Sequence, residues 1–229
     1  MQAWTSGSTF DGNRQVKIAD RLKIAFSIIC LLPVARLVFL AFTLGLGANP
    51  IEKVIHTTGD WALNFLLVTL MITPLCRLTG WSWPAGLRKM SGLFSFLYAS
   101  LHFMTYVVLD QGLSWSAISD DVIKHKRIAV GFASLLLLVP PVVTSTGSMK
   151  RLLGYERWKN LQSTVYAAAV GGVVHYLWLV KRDTRRPFAY AVVLFILFGY
   201  RALEYLLKQR KKRRVTLSDG MGMPLDNKQ

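Results

Sequence analysis

The stretch "SGLFSFLYASLHFMTYVVLD", residues 91–110, suits the interior of a lipid bilayer and yet contains a histidine, His102. It carries no charge before Asp110, and about 20 such residues are enough for a helix to cross hydrocarbon. Similar apolar runs occupy about residues 24–44, 57–75, 128–146, 161–180 and 188–207. Hydrocarbon offers no partner to an unpaired backbone group, so runs without barrel-like alternation predict helices. The sequence therefore predicts an all-α integral membrane protein, a bundle of six transmembrane helices.

Basic residues are the second feature of the chain. Its 229 residues carry a formal net charge of +16, although 52% are hydrophobic and only 17% are charged. Lys and Arg stand at the ends of the apolar runs and in one terminal run, "KQRKKRR" at 208–214. This placement is typical of contacts with anionic lipid headgroups. We expect membrane lipid as a partner and no nucleic acid.

The distribution of Lys and Arg also predicts the orientation. Counted in the loops and as far as Arg214 in the C-terminal tail, seventeen of them lie on the side of the two termini and eight on the other side. Cytoplasmic loops carry the basic excess, so both termini are predicted to be cytoplasmic, in a multi-pass protein of the bacterial inner membrane. The chain then divides into a cytoplasmic N-terminal tail at 1–23, a six-helix domain at 24–207 and a basic cytoplasmic tail at 208–229.

Two of the four histidines lie inside apolar runs. His102 and His175 belong to the third and fifth runs, which cross the membrane in the same direction. At about 1.5 Å per residue, both lie roughly 17 to 21 Å from the cytoplasmic edge and can face one another. Two neutral imidazoles so placed suit a haem iron, whose apolar macrocycle would fill the bundle core. The residues alone leave two alternatives open: hydrogen bonding to a neighbouring helix, and a proton or metal-ion path.

Three segments carry a family resemblance. They are "TGDWALNFLLVTLMITPLCRLTG" at 58–80, "LRKMSGLFSFLYASLHFMTYVVLD" at 87–110 and "GYERWKNLQSTVYAAAVGGVVHYLWLVK" at 154–181. In order and spacing they resemble the MsrQ (YedZ) family, the haem-binding membrane subunits of the bacterial methionine sulfoxide reductase system. That family belongs to the ferric-reductase-like transmembrane domain superfamily. The resemblance covers about residues 20–205.

The resemblance implies a b-type cytochrome with haem b, and with FMN as a further cofactor. Its axial ligands would be His102 and His175, the histidines of "SLHF" and "HYLW". Electrons would come from the quinone pool and go to MsrP, a periplasmic molybdenum enzyme that repairs methionine sulfoxide in envelope proteins. The chain would then be the electron-transfer subunit and not the sulfoxide-reducing catalytic subunit. We expect the partner to dock on residues 110–127 and 181–187.

One position departs from the family pattern. Members usually have a histidine at the fifth residue of "W-x-x-L-H-x-x-x-Y", and "WKNLQSTVY" has Gln162 there. Gln162 precedes His175 by thirteen residues, or about 20 Å of helix. Arg88, fourteen residues before His102, would not ligate iron, although it could pair with a haem propionate or a flavin phosphate. We therefore predict one firmly held haem.

Two other functions fit the sequence less well. A haem-containing membrane reductase could use another acceptor, such as ferric iron, and a transporter or scaffold would hold no cofactor. No strand and GxGxxG unit for a dinucleotide follows the last apolar run. We expect the electron donor to be a quinol or a separate flavoprotein.

Overall fold

The computed structural model describes residues 7–43, 45–180 and 184–220, and within these ranges it contains no strand. Its helices are α1 (Gly7–Phe42), α2 (Pro50–Thr79), α3 (Ala85–Thr105), α4 (Trp115–Lys124), α5 (Lys126–Val143), α6 (Gly147–Leu153), α7 (Tyr155–Leu179) and α8 (Arg185–Gly220). A π-helical segment, Tyr106–Asp110, directly follows α3. The predicted all-α class is confirmed.

Five helices in the described ranges are long and apolar enough to cross a membrane. These segments are Arg21–Phe42, Pro50–Thr79, Ala85–Asp110, Lys126–Val143 and Arg185–Arg210. Large apolar side chains point out of the bundle, with Phe195 79% and Ile196 61% exposed, as a lipid-facing surface requires. The remaining long helix, α7, has 25 residues but begins with the polar sequence "YERWKN". A membrane protein is confirmed, and the sixth span stays a prediction.

The helices extend beyond the predicted runs, and two short ones lie in predicted loops. α1 begins at Gly7 and α8 ends at Gly220, so both continue into the predicted tails. The short helices α4 and α6 begin after residues whose hydroxyls accept a backbone N–H, Ser114 from Ala117 and Thr146 from Met149. Such caps satisfy donors at a helix start that have no partner within the helix.

α2 and α3 form an antiparallel pair joined by small polar side chains. The Ser91 hydroxyl donates to the Phe65 carbonyl over 3.0 Å, and the Ser95 hydroxyl donates to the Ala62 carbonyl over 2.9 Å. Both serines are fully buried. Small residues let two backbones approach closely in a membrane, where lipid gives little hydrophobic drive to pairing.

α5 and α7 form a second antiparallel pair, in which a hydroxyl of α7 bonds a carbonyl that a proline of α5 leaves without a donor. Pro141 lacks an N–H, so the Leu137 carbonyl four residues earlier loses its usual donor. Thr164 of α7 replaces that donor, with its hydroxyl 2.7 Å from the Leu137 oxygen. Leu63 of α2 packs against Gly172 of α7 and joins the two pairs.

α1 and α8 pack on the outside of these pairs, again where prolines free backbone groups. The Tyr98 hydroxyl of α3 donates to Cys30 O over 2.7 Å and accepts from Val34 N over 3.3 Å, beside Pro33 of α1. In α2, Pro74 removes the donor of the Leu70 carbonyl, and Arg201 of α8 supplies one over 2.9 Å.

His102 and His175 lie toward the end of the bundle at which α3 and α7 finish, and we call this end the histidine half. The opposite end, where α3 and α7 begin, holds Arg88 and Gln162 and is called the glutamine half.

Candidate functional site

His102 is fixed by its neighbours on α2. Its Nδ1 lies 2.9 Å from the carbonyl oxygen of Ile55. A carbonyl can only accept, so Nδ1 carries the proton and Nε2 keeps a lone pair that can bind a metal. One helical turn further along α2, a Cβ on Gly59 would stand only 3.1 Å from Nδ1. The absence of a side chain at Gly59 therefore lets α2 approach the ring closely.

His175 is fixed in the same way by α5. Its Nδ1 lies 2.7 Å from the carbonyl oxygen of Arg127, so this ring also keeps the Nε2 lone pair. A Cβ on Gly131 would stand 2.6 Å from Nδ1 and 2.7 Å from Cε1. Real Cβ atoms do not approach other atoms so closely. Gly131 is thus required for the position of the His175 ring.

The rings of His102 and His175 lie close together in the bundle. Their centroids are 6.2 Å apart and their planes are nearly perpendicular, at 85°. Two metal–nitrogen bonds of about 2 Å, each lengthened by about 1 Å from nitrogen to ring centre, span about 6 Å. Neither Nε2 has a hydrogen-bond partner among the described residues. The spacing and the donor atoms therefore fit one iron ion held between the rings.

A cavity of about 410 Å³ surrounds the two rings. Its deeper wall is mostly apolar and includes Ala62, Leu63, Leu66, Ala99, Phe103, Phe132, Leu135, Leu138 and Ala168. Its rim carries Asp60, Tyr106, Asp121 and Arg127. Its size and its combination of apolar walls with a few polar groups are typical of cofactor sites. An apolar macrocycle with polar substituents matches this lining.

The rim is ordered by a small polar network. The Tyr106 hydroxyl, in the π-helical segment, donates to Asp121 of α4 over 2.9 Å. The other oxygen of Asp121 lies 3.1 Å from His125 Nδ1. π-helical turns are rare and often occur at functional sites. Here the turn ends α3 and places Tyr106 at the mouth of the cavity.

Gln162 is held by α5 and takes no part in the cavity. Its side-chain amide donates to the Pro141 carbonyl and to the Thr144 hydroxyl, each over 3.0 Å. Trp158, one turn earlier, donates to the Thr144 carbonyl over 2.9 Å. Both amide hydrogens of Gln162 are thus engaged in joining α5 to α7.

Arg88 also lies away from the histidine pair. It is half-buried and is not part of the cavity lining. Its positive charge is near enough to repel the guanidinium of Arg201. Arg201 bonds the Tyr166 hydroxyl and the Leu70 carbonyl. The structure thus brings together two of the four predicted site residues, His102 and His175, and leaves Arg88 and Gln162 in the other half.

Sequence reasoning missed the residues that orient the rings. The carbonyls of Ile55 and Arg127 fix the tautomers, and Gly59 and Gly131 make room for the rings. Glycines inside apolar runs were the available signal, since they mark places where another group approaches the backbone closely. Within the described ranges, no group of three or more His, Cys, Asp or Glu side chains could hold a metal ion.

The chain is similar to one family of membrane proteins and to several named proteins. A family described as "Ferric reductase like transmembrane component" matches residues 58–173. A Rhodospirillum rubrum protein named protein-methionine-sulfoxide reductase heme-binding subunit MsrQ is 44% identical over 203 residues, which are 88% of this chain and 98% of that protein. The proteins of that name from Azospira oryzae and Herminiimonas arsenicoxydans are 45% and 41% identical, over 80% and 83% of this chain and 79% and 88% of their own lengths. No solved structure matches the chain.

Proposed function

The chain belongs to the MsrQ family of haem-binding subunits, within the ferric-reductase-like membrane proteins, and on that premise we propose that it is a b-type cytochrome of the bacterial inner membrane. It delivers electrons to a periplasmic methionine sulfoxide reductase of the MsrP type and does not itself reduce the sulfoxide. The observation that carries the proposal is the pair His102 and His175, whose ring centroids lie 6.2 Å apart and whose Nδ1 atoms both bond backbone carbonyls, which leaves both Nε2 atoms available.

We propose haem b as the cofactor, with His102 and His175 as its axial ligands. A bound haem supplies a centre that takes up and releases one electron at a time. The carbonyls of Ile55 and Arg127 hold each ring in the ligating tautomer, as outer hydrogen bonds commonly do for metal-bound histidine. The apolar wall of the cavity keeps water from the centre, which is one of the means by which proteins set a reduction potential.

We propose a single haem per chain. The glutamine half lacks the second pair of ligands, because Gln162 donates both amide hydrogens to α5 and Arg88 has no lone pair for iron. If the chain binds FMN, Arg88 beside Arg201 is the residue that we propose for its phosphate. Arg88 is not part of the cavity lining, which argues against a contact with a propionate of the haem between the histidines.

We propose that electrons enter from the quinone pool and leave to the MsrP-type partner at the histidine half. The docking surface would include residues 110–127, which contain α4 and the Asp121 network at the rim of the cavity. The second predicted docking segment, 181–187, is described only from residue 184 onward, and residues 181–183 lie outside the described ranges.

Absorption spectroscopy tests the proposal on protein purified from membranes. We expect a Soret band, and a shift of that band when dithionite is added. The reduced protein should reoxidise when an MsrP-type reductase and methionine sulfoxide are supplied together, and not when either is omitted. The absence of a Soret band would overturn the haem assignment. Reoxidation by a ferric chelate but not by the reductase would instead support the alternative acceptor, ferric iron.

A further inference from the structure

A second concave site lies between α2 and α8 in the histidine half. It is a groove of about 520 Å³ lined by Asp60, Trp61, Asn64 and Leu67 of α2 and by Arg186, Ala189, Tyr190 and Val193 of α8. Asp60 lines this groove and also the cavity of the two histidines. The groove and the cavity therefore meet at one carboxylate.

The polar groups of the groove are arranged around Asp60. Its carboxylate is 23% exposed and lies 3.5 Å from the Arg186 guanidinium. One turn further along α2, the Asn64 side-chain oxygen accepts a hydrogen bond from the Tyr190 hydroxyl over 2.9 Å. The groove therefore offers the Asp60 carboxylate as an acceptor. One turn along α2 it holds the hydrogen-bonded pair of Asn64 and Tyr190, the latter from α8.

The remaining lining is apolar and aromatic. The Trp61 ring packs against Phe65, with centroids 5.5 Å apart, and Leu67 and Val193 complete the wall. A flat apolar ring that carries hydroxyl groups matches such a site, since aromatic and aliphatic side chains hold the ring and a few polar groups orient it.

The groove lies close to His102, as an entry point for electrons requires. Gly59, the residue before Asp60, approaches His102 so closely that a Cβ there would be 3.1 Å from the ring. The glutamine half is far less favourable as an entry point, because Gln162 lies about 20 Å along α7 from His175. A donor dissolved in the membrane can approach the histidine pair through the groove without a second haem.

We propose that the groove between α2 and α8 binds the headgroup of a quinol, with Asp60 accepting the hydrogen bond of one ring hydroxyl. This rests on the proposed function, which makes quinol the donor and haem the one-electron acceptor. Oxidation of the quinol to the quinone breaks two O–H bonds and releases two protons and two electrons. The proton of the bound hydroxyl passes to Asp60 and the other to water, and the two electrons would pass one at a time to a haem held by His102 and His175.

Two adjacent valines of α8 provide a matched test. Val193 lines the groove and Val192 does not, although the two residues are similarly exposed, at 38% and 41%. Val193→Trp would fill the groove, and Val192→Trp would place the same bulk outside it. Both variants and the unmodified protein would be placed in lipid nanodiscs with haem bound, and haem reduction by decylubiquinol followed by stopped-flow absorbance.

We expect Val193→Trp to slow reduction by decylubiquinol by about tenfold or more, since filling a site excludes its ligand. Val192→Trp should keep the unmodified rate, and dithionite should reduce the haem equally in all three proteins. Asp60→Asn should slow the quinol reaction as well while the Soret band is retained.

An unmodified rate in Val193→Trp would overturn the assignment of the groove. So would a protein whose haem is reduced by dithionite but not by decylubiquinol, although that result leaves the cytochrome itself in place. Absence of the Soret band in the unmodified protein would mean that the proposed function has failed, and with it the donor site.

Discussion

The two halves of the bundle treat polar groups inside the membrane in opposite ways. In the histidine half, His102 and His175 line the cavity, and each bonds one backbone carbonyl through Nδ1 and leaves Nε2 without a partner among the described residues. In the glutamine half, Gln162 donates both amide hydrogens, to Pro141 and Thr144, and Arg201 bonds the Tyr166 hydroxyl and the Leu70 carbonyl while its Nε has no partner among the described residues. The histidine half keeps two acceptor atoms free at one cavity, whereas the glutamine half uses most of its polar atoms to join helices.

This difference separates binding from structure. A polar group without a partner in hydrocarbon costs several kcal/mol, so two open acceptor atoms at one cavity indicate that a ligand completes them. The open Nε2 atoms therefore mark where the bundle is built around a cofactor. The hydrogen bonds of Gln162 and Arg201 in the glutamine half stabilise contacts among α2, α5, α7 and α8.

Removal of a ligand should have the largest effect on the histidine half. We expect His102→Ala or His175→Ala to lower the haem content from about one per chain to below about 0.1, since one imidazole cannot replace the lost axial bond. Haem and protein would be quantified after purification. Trp178→Ala is the control, because Trp178 lies on α7 like His175 but is 52% exposed and is not part of the cavity lining. A normal spectrum in either ligand variant would exclude that residue as a ligand.

The second test changes the space around a ring and leaves its chemistry intact. Gly131→Ala would place a methyl group 2.6 Å from His175 Nδ1, so the ring or α5 must move. Such overpacking costs about 1 to 3 kcal/mol, and we expect haem affinity to fall by about tenfold. Gly199→Ala is the matched control, because a Cβ there meets no atom within 4 Å. Equal haem titration curves for the two variants would refute the close packing of Gly131.

The third test removes hydrogen bonds from the glutamine half, and we expect a smaller effect, on stability alone. Gln162→Leu removes the two hydrogen bonds to Pro141 and Thr144. We expect the free energy of unfolding to fall by about 1 to 2 kcal/mol, because each buried hydrogen bond contributes about 1 kcal/mol. Haem content and the Soret band should not change. Loss of haem in this variant would show that Gln162 supports the cofactor and would remove the contrast between the halves.

The smallest effect is expected from restoring the family histidine. Gln162→His supplies one imidazole to the glutamine half, but α3 offers Arg88 there and no second ligand. The haem content should therefore stay near one per chain in the same quantification. An increase toward two would mean that a ligand from another residue is available in that half.

The apolar runs were sufficient to predict the helical membrane class, because chain length and charge decide which segments can enter lipid. They could not predict that α1 reaches back to Gly7, or that α4 forms between α3 and α5. The contacts at prolines were also unpredictable from the runs. Pro141 indicates that Leu137 O needs a donor, but only the packing of α7 shows that Thr164 provides it.

The candidate site was predictable only in part. The spacing along the chain places His102 and His175 at similar depth, and the structure brings their rings to 6.2 Å. Nearly uniform apolar helices give no polar face from which rotation can be deduced. The carbonyls of Ile55 and Arg127 and the clearance at Gly131 therefore become visible only once the helices are packed.

The number of haems per chain tests the contrast between the two halves most directly. Haem would be quantified as the pyridine haemochrome and protein by amino-acid analysis, on the same purified sample. The structure predicts a ratio near one, from the site between His102 and His175. A ratio near two would mean that the glutamine half also binds a haem, which contradicts the contrast between the halves. A ratio near zero would contradict the haem site itself.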